Sequence, residues 1–103
     1  MKTAYHVIIT EGKKFLISYV PDLQINTQGK NLADIIEMSR DAISLWIVSA
    51  QKDGTDIPKP SDLKSIEQND GEILTLVDIN TGDYQKKINK VIRRSARVYK
   101  KIF

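Results

Sequence analysis

One histidine, thirteen acidic residues and no cysteine bound the chemistry open to this 103-residue chain. His6 stands in the middle of an apolar-alternating segment. A catalytic or metal-binding histidine needs a second ligand or an acid partner close by, and none adjoins it in sequence. Four aspartates, Asp22, Asp56, Asp78 and Asp83, could be drawn together by the fold into a two-metal nuclease centre. Such a centre requires carboxylates that converge on a pair of ions. Asp78, at a strand end just before a helix, reads equally well as a boundary residue. Ser18, Ser39, Ser44 and Ser49 have no general base beside them, which argues against nucleophilic catalysis. No phosphate-cradling P-loop and no GxGxxG is present. Without cysteine, disulfides, thiol catalysis and cysteine-based zinc sites are excluded. The expectation is a protein without enzyme activity, metal or cofactor.

The remaining chemistry is electrostatic. The net charge is only +3, but Lys86, Lys87, Lys90, Arg93, Arg94, Arg97, Lys100 and Lys101 all follow Asp83 with no acid among them. Up to that point the chain is net acidic. A basic tail on an acidic body suits a nucleic-acid contact or an acidic partner. Arg93, Arg94 and Arg97, interleaved with Val98 and Tyr99, could bind phosphates, and an aromatic among cations could stack on a base. The competing reading is a solvated edge strand protected by its charge.

These residues must be positioned by a small scaffold, and the length fits one domain. Its organising element is Asn31 to Lys52, read as one amphipathic helix. Leu32, Ile35, Ile36, Ser39, Ala42, Ile43, Trp46, Ile47 and Ala50 recur at helical spacing and form a stripe. Asn31 can cap the start, Asp34 suits the positive end of the helix dipole, and Gly54 with Pro58 and Pro60 ends the helix. Met38, Leu45 and Val48 fall off the stripe, on the side that carries Asp34, Glu37 and Asp41. They are either scattered surface residues or a contact with another chain.

The flanking segments alternate at period two. Ala4–Thr10 reads as a strand, Glu11-Gly12 as a two-residue turn with Gly12 at positive φ, and Lys13–Val20 as the returning strand. Pro21-Asp22 ends it, and Gln24–Gln28 makes a short third strand before Gly29. After the helix comes a connector, with a short helical turn expected from Ser61. Glu72–Ile79 reads as a fourth strand. A second helix, capped by Asn80 or Thr81, runs to about Asn89, and Lys90–Ile102 fits a strand better than a helix. No apolar run approaches a membrane span and no signal peptide opens the chain, so a cytoplasmic protein is expected.

The PDL at Pro21–Leu23, the TQG at Thr27–Gly29, the long helix, the DG at Asp53-Gly54 and the PKPS at Pro58–Ser61 occur in one order. That order resembles the HicB family of antitoxins. The later LTLVDIN and DYQKKINK resemble that family's fourth strand and following helix, so the likeness covers nearly the whole chain. It implies an α+β fold in the order β-β-β-α-β-α, a partly degenerate RNase H-like arrangement without nuclease carboxylates. It implies a non-enzymatic antitoxin whose partner is a HicA-like toxin that cleaves mRNA, blocked by covering its active histidine and RNA-binding face. An acidic body facing a basic RNA-binding protein fits that role.

Two departures stand out. The turn after the second strand is PDLQIN, one residue shorter than the family pattern. At the C-terminus, Asn89–Val98 looks like the strand that leads into the family's DNA-binding module, but Tyr99 replaces the expected proline and the two following helices are missing. The expected layout is a HicB-like domain over 1–89 and a basic strand or tail over 90–103. The residues expected at a toxin contact are Asp22, Gln28, Glu37, Asp41, Leu45 and Val48. The alternative function is a nucleic-acid-binding regulator acting through Arg93, Arg94 and Arg97. A homo-oligomer, dimer or tetramer, fits both readings.

Overall fold

The computed structural model describes residues 1–89. Three strands, β1 (Lys2–Glu11), β2 (Leu16–Val20) and β3 (Ile25–Gly29), form an antiparallel meander. The helix α1 (Leu32–Asp53) follows, then a connector with a single 3-10 turn at Leu63–Ser65, the strand β4 (Ile73–Asn80) and a second helix, α2 (81–89). The result is α+β in the order β-β-β-α-β-α, as the sequence resemblance implied. β4 returns antiparallel to β1, so the sheet order is β3-β2-β1-β4 and the longest strand lies inside.

The register explains which face is covered. Ile9 stands opposite Ser18, Tyr5 opposite Val77 and Ser18 opposite Thr27, so one face carries Tyr5, Val7, Ile9, Ser18, Val20, Val77 and Ile79. All of these are buried, and α1 closes over them with Ile35, Ile43 and Ile47. The other face carries His6, Ile8, Ile17, Tyr19, Leu74 and Leu76, and no helix among the described residues covers it. Among the buried helix residues Ser39 is polar. Its Oγ lies 2.6 Å from the Ile35 carbonyl oxygen and 2.8 Å from the Ser18 Oγ. One hydroxyl donates one proton, so Ser39 donates to Ile35 while Ser18 donates to Ser39. The chain ties α1 to β2 with both hydroxyls satisfied.

The helix ends follow the sequence. The Asn31 side-chain oxygen accepts from the Asp34 N–H at 2.9 Å, and the Asp34 carboxylate accepts in turn from the Lys30 N–H at 2.8 Å. Gly54 is left-handed, with φ 70°, and its N–H caps the carbonyls of the last turn. Asn80 caps α2 by accepting from the Gly82 and Asp83 N–H groups.

Several expectations need correction. The first hairpin does not close through a two-residue turn. β1 runs on to Glu11, β2 begins only at Leu16, and the Gly12 N–H bonds the Phe15 carbonyl across a longer loop. Gly12 is not at positive φ. What it supplies is room, because a Cβ there would lie 2.6 Å from the Phe15 oxygen. The helical turn expected from Ser61 is only the 3-10 turn at Leu63–Ser65. Leu32, counted in the apolar stripe, is exposed, whereas Ser44, outside the stripe, is buried. The segment Lys90–Ile102 and the residues Arg93, Arg94 and Arg97 lie outside the described residues.

Candidate functional site

The outward ridge of α1 presents Met38 and Leu45, both well exposed, with half-buried Val48 beside them. On the β3 side the ridge drops into an apolar groove of about 520 Å³, where Leu45, Trp46 and Ala42 face Ile25 and Asn26. The helix forms this wall because Trp46 belongs to its apolar stripe yet sits at the stripe's margin. The body of the indole packs on the core while the groove leaves it half-buried.

The α2 side of the same ridge is charged. Glu37, Arg40, Asp41 and Ser44 of α1 meet Asp78, Asn80, Asp83, Tyr84 and Lys87 around a cleft of about 330 Å³. Arg40 organises it. One guanidinium nitrogen reaches Glu37 at 2.6 Å, a second reaches the Asp78 carboxylate at 3.0 Å, and its Nε donates to the Asp78 backbone carbonyl at 2.9 Å. The hydrogen bond from Arg40 holds the Asp78 carboxyl below its ordinary range, and the same bond pushes the guanidinium further up. Lys87 reaches Asp41 at 3.4 Å and joins α2 to α1. Burial, then the charge of Asp41, raises the Tyr84 hydroxyl. Exposed pairs of this kind contribute little stability and can exchange partners.

The sequence-selected residues thus fall in three places. Glu37, Asp41, Leu45 and Val48 share the ridge, acids on one side and apolar groups on the other. Gln28 is exposed on the edge strand β3, beside Asn26 and Ile17. Asp22 is elsewhere and is engaged within the chain. Its carboxylate accepts from both the N–H and the hydroxyl of Ser61. That contact belongs to a fastening that the sequence does not show. The connector passes β1 where β2 has ended, with the Tyr5 hydroxyl donating to the Pro58 carbonyl at 2.6 Å and His6 Nε2 placed 2.9 Å from the Ser61 carbonyl. Since that carbonyl only accepts, Nε2 carries the proton. Burial, then Asp22, raises the Tyr5 hydroxyl. Arg40 was not singled out from sequence either, since its partner Asp78 is 38 residues away along the chain.

Asp22 at the connector and Asp78 at Arg40 are not brought together. Among the described residues no three histidine or acidic side chains gather to hold a metal ion. No helix among them is long and apolar enough to cross a membrane.

The fold is that of an α+β protein with an outward helix ridge beside an apolar groove. The chain matches the model of the HicB_like antitoxin of bacterial toxin-antitoxin systems over residues 5–102, and it belongs to that family. Among solved structures it is similar to a chain of a toxin-antitoxin complex from Streptococcus pneumoniae. That match has a TM-score of 0.71 at 15% identity and covers 82% of this chain and 73% of that one. A chain of the HicA3 and HicB3 toxin-antitoxin complex matches with a TM-score of 0.64 at 24% identity, over 76% of this chain and 99% of that one. At these identities the structural likeness speaks for the fold. No curated protein matches the chain in sequence.

Proposed function

We propose that this chain is a non-enzymatic cytoplasmic antitoxin that binds and masks a HicA-like, mRNA-cleaving toxin. The observation that carries the reading is the family match over residues 5–102. The shared fold with a chain of the HicA3 and HicB3 toxin-antitoxin complex supports the choice of partner. The charge supports it as well. Residues 1–89 hold all thirteen acids against ten of the sixteen cations, a net of −3, which suits a basic RNA-binding protein. In this reading residues 1–89 are the toxin-binding domain and 90–103 a separate basic segment.

The toxin contact is the α1 ridge and the neighbouring β3 edge. Leu45 and Val48 supply apolar contact, Gln28 supplies polar contact, and Glu37 and Asp41 form an acidic rim. Asp22 acts from behind, by holding the connector. Leu45→Asp tests the site, since Leu45 is exposed and its change leaves the core intact. Toxin affinity is expected to fall by about 2 kcal/mol or more, as for a central interface anchor. Unchanged affinity in a folded variant would remove the ridge from the interface. The second reading, DNA binding through Arg93, Arg94 and Arg97, is favoured by the six cations and no acids of residues 90–103. It predicts binding that weakens steeply with salt, with a shallower slope when any of the three is replaced.

A further inference from the structure

Among the described residues the sheet has two unpaired edges, β3 and β4, and they differ in kind. In an antiparallel pair, a residue directs both its N–H and its C=O to the same neighbour, and successive residues alternate. The Asp78 carbonyl accepts from Arg40 outside the sheet, so Asp78 faces away from β1. By alternation Leu74 and Leu76 face outward too, while Ile73, Thr75 and Val77 bond to Ile9, Val7 and Tyr5. The same alternation, carried through β1 and β2, turns Asn26 and Gln28 outward on β3.

The β3 edge is short and polar, INTQG. The β4 edge is ILTLVDIN, eight residues with one charge, and that charge is already paired with Arg40. Ile73 and Leu76 are 50% and 55% exposed on its two faces. The edge has no lysine, no proline and no bulge, the usual means by which a monomer prevents pairing. Its neutrality gives a basic toxin nothing to recognise. What matches it is an identical strand.

We propose that β4 is a self-association edge, and that two copies of this chain pair β4 to β4 in antiparallel fashion to make one continuous sheet. The two-fold axis passes by Thr75. Leu74 of each copy then opposes Leu76 of the other, and the outward backbone groups of both are satisfied. On the uncovered face the leucines of both copies meet in one strip beside Ile8. On the other face Ile73 of one copy lies across from Val77 of the other. Asp78 falls opposite Glu72 of the other copy, and Arg40, already on Asp78, offsets that repulsion. The proposal does not rest on the toxin-binding reading, and it leaves the α1 ridge and the β3 edge free.

The test uses the full chain in two parts. Sedimentation equilibrium at micromolar concentration is expected to show a dimer, and Leu76→Lys is expected to weaken it at least about tenfold. Leu76 is exposed and bonds outward, so the variant keeps the wild-type circular dichroism. In parallel, Thr75→Cys introduces the only thiol of the chain. Facing residues at a non-hydrogen-bonded antiparallel position stand about 4.5 Å apart at Cα, within disulfide range. Mild oxidation should therefore cross-link Thr75→Cys and leave Asn26→Cys monomeric. A wild-type monomer, a dimer that survives Leu76→Lys, or cross-linking at Asn26→Cys in place of Thr75→Cys would each overturn the proposal. If Leu76→Lys fails to fold, the cross-linking result decides.

Discussion

Gly29 closes the TQG motif at a close approach of β3 to the first turn of α1. A Cβ there would stand 2.6 Å from the Ile35 backbone nitrogen and 2.7 Å from its Cα. Both are backbone atoms, and Ile35 is wholly buried, so no flexible side chain can give way. Ordinary contact begins at 3.4 Å, so Gly29→Ala must push the first turn of α1 back by ~0.8 Å. That shift loosens Ile35 in the core and strains the Ser39–Ile35 bond one turn on. Overpacking of a core costs about 1–3 kcal/mol, and a backbone clash belongs at the upper end, ~3 kcal/mol. For a domain of this size that lowers the melting temperature by roughly 12–24 °C. The control is Gly54→Ala, where nothing lies within 4 Å and only the φ of 70° is strained, at about 1–2 kcal/mol. Urea denaturation of both variants, followed by far-UV circular dichroism, gives the comparison. A Gly29→Ala variant that loses no more stability than Gly54→Ala would refute the close-approach argument.

Three further outcomes follow from the side-chain geometry. Ser39→Ala leaves the buried Ser18 hydroxyl without an acceptor and should cost ~1–3 kcal/mol, whereas Ser18→Ala still leaves Ser39 bonded to Ile35 and should cost less. Adding Ser18→Ala to Ser39→Ala should restore part of the loss, and strictly additive melts would contradict the hydroxyl chain. Asp22→Ala removes both bonds to Ser61 and should lower stability by ~1–2 kcal/mol while speeding hydrogen exchange at the Ser61 amide; unchanged exchange would mean that the connector is held elsewhere. Asp78, held down by the hydrogen bond from Arg40, should titrate below the ordinary aspartate range by NMR and return toward it in Arg40→Gln. Because its folded pKa is depressed, the contribution of Asp78 is present above the ordinary aspartate range and lost as pH falls through the folded value.

Local signals carried much of this fold. The stripe from Ile35 to Ala50 and the Asn31 and Gly54 caps are readable because each depends on residues within a turn or two. The strands show themselves by alternation, to within a few residues at their ends. What failed was the geometry of pairing. Glu11-Gly12 looks like a hairpin turn, but whether the chain reverses over two residues or more depends on how far β1 and β2 register, which local sequence does not state. Leu32 keeps helical spacing yet is the first residue of α1 and exposed, so spacing alone misplaces it. Asp22 and Glu37 look alike as exposed acids. One fastens the connector 39 residues away and the other sits on an open ridge, a distinction made only by the tertiary path. Arg40 is invisible for the same reason.

The masking of a toxin by this chain is tested most directly by adding it in steps to a HicA-like toxin and following cleavage of an mRNA substrate. Cleavage is expected to fall in proportion to added chain and to stop at a fixed stoichiometry, with a stable complex on size exclusion. Cleavage that continues undiminished with the chain in excess would contradict it.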